Sequence, residues 1–160
     1  MREQTSFALS SVAEANKILD YFNGFHDGFI RRMVIESRDR INEDLSQTCT
    51  GVFEVEIDLA HYNYPAGAEG FHPYSQIVRA RFRNVQDILC DFREGFLGNT
   101  ILSLSVVSAN RLRGGETATE PCLCLRLARH FYLAEERRYE LRETQLFTFT
   151  DAVFVEQATA

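Results

Sequence analysis

Near the start of the chain, apolar residues recur every three to four positions, and from Phe29 onward they recur every second one. Val12, Ala15, Ile18, Leu19 and Phe22 form one stripe, the mark of an amphipathic helix. Ser11 and Glu14 have the spacing of a capping box, and Asn23-Gly24 supplies the stop. A helix this short is not stable alone, so its stripe is expected to lie against something larger.

The period of two predicts strands. In the stretch 52–59, Phe53, Val55, Ile57 and Leu59 face one way while Glu54, Glu56 and Asp58 face the other. In 76–83, Val78, Ala80 and Phe82 alternate with Arg79, Arg81 and Arg83. The stretch 29–36 is apolar on both faces apart from Arg31 and Arg32, which predicts an interior strand. Further strands are expected over 101–107, 122–129, 138–142 and 146–155, about seven in all. Between them, Val85, Ile88, Leu89 and Phe92 return to helical spacing after Asn84, which predicts one short internal helix. Residues 111–121, with Gly-Gly and a Pro around small polar residues, read as a loop. Consecutive strands with helices set apart imply an α+β fold, predominantly one antiparallel β-sheet with an N-terminal helix.

Two alternating strands of opposite charge also predict a register. Antiparallel pairing of Glu54 with Arg83, Glu56 with Arg81 and Asp58 with Arg79 matches every acid with a base, and it places Val55 beside Phe82 and Ile57 beside Ala80 on a core face.

Composition narrows the class. The 160 residues are 45% hydrophobic and 25% charged with three Pro and nine Gly, which suits a single folded domain over 1–160 that buries a sizeable core. Against 23 acidic residues stand 17 basic ones, a balance that disfavours nucleic acid as a partner. No apolar run is long enough to span a membrane, and MREQTSFALSS lacks the core of a signal peptide, so a cytoplasmic location is expected. The four cysteines are then expected to be reduced thiols, with Cys122 and Cys124 side by side on one strand face as small packed residues in preference to half a metal site.

Candidate chemistry is sparse: the chain has no P-loop, no G-x-G-x-x-G and no G-x-S-x-G, and no cofactor and no metal are expected. His26-Asp27 lies between the helix end and the first long strand. A metal or acid/base role would need further ligands, so a structural turn is the favoured reading, with at least one of His26 and Asp27 hydrogen-bonded to backbone within the turn. The long connection holding His61, Tyr62, Tyr64, Phe71, His72 and Tyr74 carries aromatic side chains where small polar ones are usual. Tyr62, Tyr64, Phe71, His72 and Tyr74 are therefore the expected partner-binding residues.

F-H-D at 25–27, R-F-R-N-V at 81–85, F-L-G-N-T-I-L at 96–102 and the alternating apolar residues of 146–155 occur in an order that resembles small β-rich bacterial proteins counted among the immunity proteins of polymorphic toxin systems. The resemblance spans roughly residues 23–156; it departs at Leu97, where the family's turn has Asn, and in the length of 111–142. It implies a non-enzymatic, protein-binding domain that neutralises a toxin, with homo-oligomer formation left open. The alternative is a small-ligand-binding protein or hydrolase-type enzyme with a pocket near His26, Asp27, His61 and His72.

Overall fold

The computed structural model describes residues 5–62, 75–89, 101–112, 119–133 and 135–157. Along them run β1 (Ser6–Leu9), α1 (Val12–Tyr21), a 3-10 turn (Asn23–Phe25), β2 (Phe29–Ser37), β3 (Arg40–Ile41), β4 (Gln47–Thr48), β5 (Phe53–Tyr62), β6 (Ser75–Val85), β7 (Ser103–Leu112), β8 (Thr119–Leu133), β9 (Arg138–Phe149) and β10 (Asp151–Glu156). The fold is α+β and mostly antiparallel, but its ten described strands form three sheets where about seven strands were expected. One sheet has the order β1-β10-β6-β5-β2, a second β7-β8-β9, and β3-β4 is a separate hairpin.

The helix forms as its cap requires. The Ser11 hydroxyl accepts from the Glu14 amide at 3.2 Å, and the Glu14 carboxylate reaches back to the Ser10 amide at 2.7 Å and hydroxyl at 2.9 Å. Those bonds hold the Glu14 carboxyl below its ordinary pKa. Its buried face, Ala15, Ile18 and Leu19, packs on β7 and β1, so α1 closes the gap between one edge of each large sheet.

Both sheets share one core. Phe82 of β6 meets Phe147 and Phe149 of β9 edge to face, with centroids 4.9 and 5.0 Å apart, and lies 5.8 Å from Phe154 of β10. All four rings are fully buried. Burying a side chain of this size contributes roughly 1.5–3 kcal/mol, so the cluster is a main tie between the sheets. Arg111 of β7 adds a buried polar tie: it donates to Glu120 at 2.6 Å and to the backbone carbonyl of Asn84 on β6.

Three expectations are corrected. The stretch 29–36 is the edge of its sheet, not its interior, because the strands from the two chain ends, β1 and β10, both add on the β6 side. The expected internal helix does not begin at Val85. Gln86 exchanges both backbone hydrogen bonds with Thr148, and the Leu89 amide donates to the Leu146 carbonyl at 2.7 Å, so the chain runs along β9; Asn84 and Asp87 also have positive φ, which interrupts a helix. Residues 90–100, where the rest of that helix would fall, lie outside the described residues. Finally, the last two expected strands divide at Thr150, not between 142 and 146. Of the expected loop 111–121, both flanks belong to strands and 113–118 lie outside the described residues.

Candidate functional site

Two surfaces stand out, and the first is the outer face of the five-stranded sheet. β5 and β6 pair in the expected register over Glu56–Arg81, Ile57–Ala80 and Asp58–Arg79. Arg79 holds Asp58 through Nε at 2.7 Å and Nη2 at 3.0 Å, a fork on a carboxylate. Glu56 receives Arg32 at 2.6 Å and Arg81 at 2.8 Å, with Arg79 at 3.3 Å. The third expected pair, Glu54 with Arg83, does not form. Asn84, with φ of 50°, inserts an extra residue into β6, so that Phe53 stands opposite Val85. Glu54 turns to Arg38, and Arg83 lies 3.5 Å from Asp151.

The electrostatics follow from these bonds. The Arg32 and Arg81 guanidiniums beside Glu56 hold its carboxyl below the ordinary carboxylate range, against a smaller desolvation effect, and Arg79 does the same for Asp58. A groove of about 490 Å³ lies along this face between Arg32 and Val34 of β2 and Val153 and Val155 of β10, and of the charges lining it Arg32, Arg81 and Glu56 already bind one another. Its chemistry is that of a self-neutralised ladder.

The second surface is the β3-β4 hairpin. Its stalk is fixed by the Arg38 amide donating to Val52 at 3.0 Å and by Asp39, whose carboxylate accepts from the Thr50 amide at 2.5 Å and hydroxyl at 3.0 Å, bonds that lower its pKa. At the tip, the Leu45 amide donates to the Asn42 carbonyl at 3.0 Å and the Asn42 amide to the Ser46 carbonyl at 2.8 Å. The Asn42 side chain donates to Ser46 Oγ at 2.9 Å and Thr48 Oγ1 at 3.0 Å, and Asp44 accepts from the Ser46 amide at 3.0 Å. Asn42, Asp44, Ser46 and Thr48 are thus bonded within the turn, while Glu43 and Gln47 are exposed. So are the apolar side chains: Ile41 is 75% exposed and Leu45 86%.

Leu45 also has φ of 65°, the left-handed conformation that such a hairpin turn normally gives to Gly or Asn. For a residue with a Cβ this costs roughly 1–2 kcal/mol. Local structure therefore favours neither the residue type nor its exposure, and strain of this kind collects at functional sites. The sequence reading passed over this hairpin. Its signal was a lone Leu among Asn42, Glu43, Asp44 and Ser46, turn formers with no alternation around them.

The expected site residues are placed as follows. His26 Nδ1 and Asp27 Oδ2 lie 3.1 Å apart and both side chains are about half exposed. The His26 amide donates to the Asn23 carbonyl at 3.1 Å and the Asp27 amide to the Ile101 carbonyl at 3.0 Å, and with φ of 62° Asp27 turns the chain from the 3-10 turn toward β2. The Ile101 amide returns a bond to Gly28 at 2.7 Å, so backbone fixes this corner. His61 and Tyr62 end β5 at the same end of the sheet, since Phe29 stands opposite Ala60. Tyr64, Phe71, His72 and Tyr74 lie outside the described residues. Cys122 and Cys124 are buried free thiols whose pKa values burial pushes up. Among the described residues no group of three or more His, Cys, Asp or Glu could hold a metal ion, and no helix is long and apolar enough to cross a membrane.

No family model, curated protein or solved structure matches the chain.

Proposed function

We propose that the chain is a non-enzymatic protein-binding domain, a cytoplasmic immunity-like protein that neutralises a toxin, and that the β3-β4 hairpin is its contact element. The observation that carries the reading is Leu45, an apolar side chain held in a strained backbone conformation, 86% exposed, at the tip of a hydrogen-bonded turn. A rigid support limits the entropy lost on binding, and an exposed aliphatic pair supplies apolar area at the centre of a contact. Backbone bonds hold the corner at His26 and Asp27, which has no part in this reading. The aromatic connection with Tyr64 and Tyr74 is a second contact region, which leaves the sheet at the end of β5 away from the hairpin.

The test is rescue from growth arrest. Proteins encoded next to this gene are expressed one at a time, and an arrest that the chain relieves identifies the partner. Replacing Ile41 and Leu45 together with Asp is expected to abolish relief and capture of that partner while the thermal midpoint stays within a few degrees. Replacing Tyr64 and Tyr74 with Ala measures the share of the aromatic connection. Full relief by the hairpin variant would remove the hairpin from the reading, and no arrest relieved by the wild-type chain would remove the toxin.

A further inference from the structure

The β3-β4 hairpin offers more than its two apolar side chains. Among the described residues β3 and β4 pair only with each other. The Asn42 amide donates to the Ser46 carbonyl at 2.8 Å, and in the same register Arg40 stands opposite Thr48. Backbone groups of an antiparallel pair alternate in direction, so Gln47, between Ser46 and Thr48, turns its amide and carbonyl away from β3. Cys49 continues on the same side. Neither residue's backbone has a partner among the described residues, and both residues are exposed.

The side chains around this edge are of two kinds. Gln47 stands directly opposite Ile41, so both project from one face of the hairpin, and Leu45 follows at the tip. Charge is one-sided: residues 39–49 hold Asp39, Glu43 and Asp44 against the single base Arg40. An open backbone edge, apolar side chains on the adjoining face and an excess of acid describe one kind of ligand.

We propose that an extended segment of the protein partner adds to the β4 edge as a third strand, exchanging backbone bonds with Gln47 and Cys49. This rests on the hairpin being the contact element and names what that element takes: a chain in β conformation, apolar at alternate positions, with Lys or Arg beside them. The residue of the added strand opposite Gln47 shares a face with Ile41, so an apolar side chain there extends over the Gln47 stem toward it. In strand addition the main chain fixes the register and the alternate side chains choose the sequence. The edge is short, which leaves much of the selection to Ile41 and Leu45.

A displayed library of random linear peptides, selected on the immobilised full chain, is the probe. Enriched peptides are expected to be apolar at every second position with a cation adjacent, and to bind more weakly as salt is added. Gln47→Pro deletes only an outward amide, which strand edges tolerate, so the thermal midpoint should stay within a few degrees. The dissociation constant of an enriched peptide should rise roughly tenfold or more in that variant, and further than in Gln47→Ala, which keeps the amide. Amide hydrogen exchange needs no variant: Gln47 and Cys49 should exchange fast in the free chain and slowly with the peptide bound. Three results overturn the proposal: no enrichment, a Gln47→Pro chain that binds peptide as Gln47→Ala does, or slow exchange at both amides in the free chain, which would mean that the edge is already closed, by a second copy's hairpin for instance. Growth arrest does not enter this test, so a chain that relieves none removes the toxin and not the strand addition. Relief that needs Ile41 and Leu45 but survives Gln47→Pro keeps the hairpin and removes the strand addition.

Discussion

The outer sheet face and the β3-β4 hairpin invert the usual relation between residue type and role. On the sheet face, charged side chains stand at the surface, yet Arg79, Arg81 and Arg32 are engaged with Asp58 and Glu56 at 2.6–3.0 Å. In the hairpin, Asn42, Asp44 and Ser46 bond one another, and Ile41 and Leu45 stand in solvent beside exposed Glu43 and Gln47. A partner approaching the ladder would have to displace existing ion pairs. One approaching Ile41 and Leu45 would displace water from apolar side chains and break no ion pair. Surface polarity alone would have ranked the two the other way, and accounting for each group's partner reverses the order.

The largest effect separates the two faces of β6. Phe82 points from that strand into the ring cluster while Arg81 points out to the ladder. Phe82→Ala should destabilise by about 3–5 kcal/mol, because the rings on two sheets cannot close around the space left. Arg81→Ala should cost no more than about 1 kcal/mol, since that side chain is 65% exposed and Glu56 keeps Arg32. Urea denaturation of both variants measures the difference. Similar losses would mean that the ladder, not the core, joins β5 to β6.

Next in size is the ladder's most buried member. The Asp58 side chain is 9% exposed, and Asp58→Asn weakens a charged fork on Arg79, which should cost about 1.5–3 kcal/mol. The pH dependence has a definite sign. Glu56 and Asp58 titrate lower in the folded chain than ordinary carboxyls, so their contribution is fully present above the ordinary carboxylate range and is lost as pH falls toward the depressed native values. The wild type should therefore lose stability below about pH 5. A Glu56→Gln/Asp58→Asn variant should start lower at neutral pH and lose less, so that the two curves converge in acid. Parallel curves in acid would show that the ladder is not what acidification breaks.

The ladder was also the most legible part of the molecule, for a physical reason: three acids on one strand face and three arginines on the next can all be matched in a single antiparallel register. The helix was legible through Ser11 and Glu14, a local signal with a local cause. What escaped depends on distant partners. The apolar stretch 29–36 looks interior by its residues, but edge or centre is decided by where β1 and β10 dock. The helical spacing of Val85, Ile88 and Leu89 is real, yet β9 satisfies that backbone instead. One signal was present and overlooked: inward residues are odd-numbered at Phe147 and Phe149 and even-numbered at Ala152 and Phe154, a change of parity that marks the strand break at Thr150. The hairpin gave least warning, because isolated polar turns carry no period.

The smallest effect is expected at Leu45, and its sign matters more than its size. Replacing Leu45 with Gly removes the left-handed cost of roughly 1–2 kcal/mol and adds an entropic cost of roughly 0.5–1 kcal/mol from the freer unfolded chain. At 86% exposure the side chain contributes little burial of its own. The net change should be stabilising or neutral, within about 1 kcal/mol, with the amide bond to Asn42 retained. An apolar residue whose removal helps the fold is being kept for something outside it. Thermal unfolding of Leu45→Gly beside the wild type, with relief of growth arrest scored in parallel, reads both sides. An equal or higher midpoint with weakened relief is the expected pair of results. A midpoint lowered as far as a core truncation would mean that Leu45 belongs to the chain's own packing, and the contrast between the hairpin and the ladder would lose its basis.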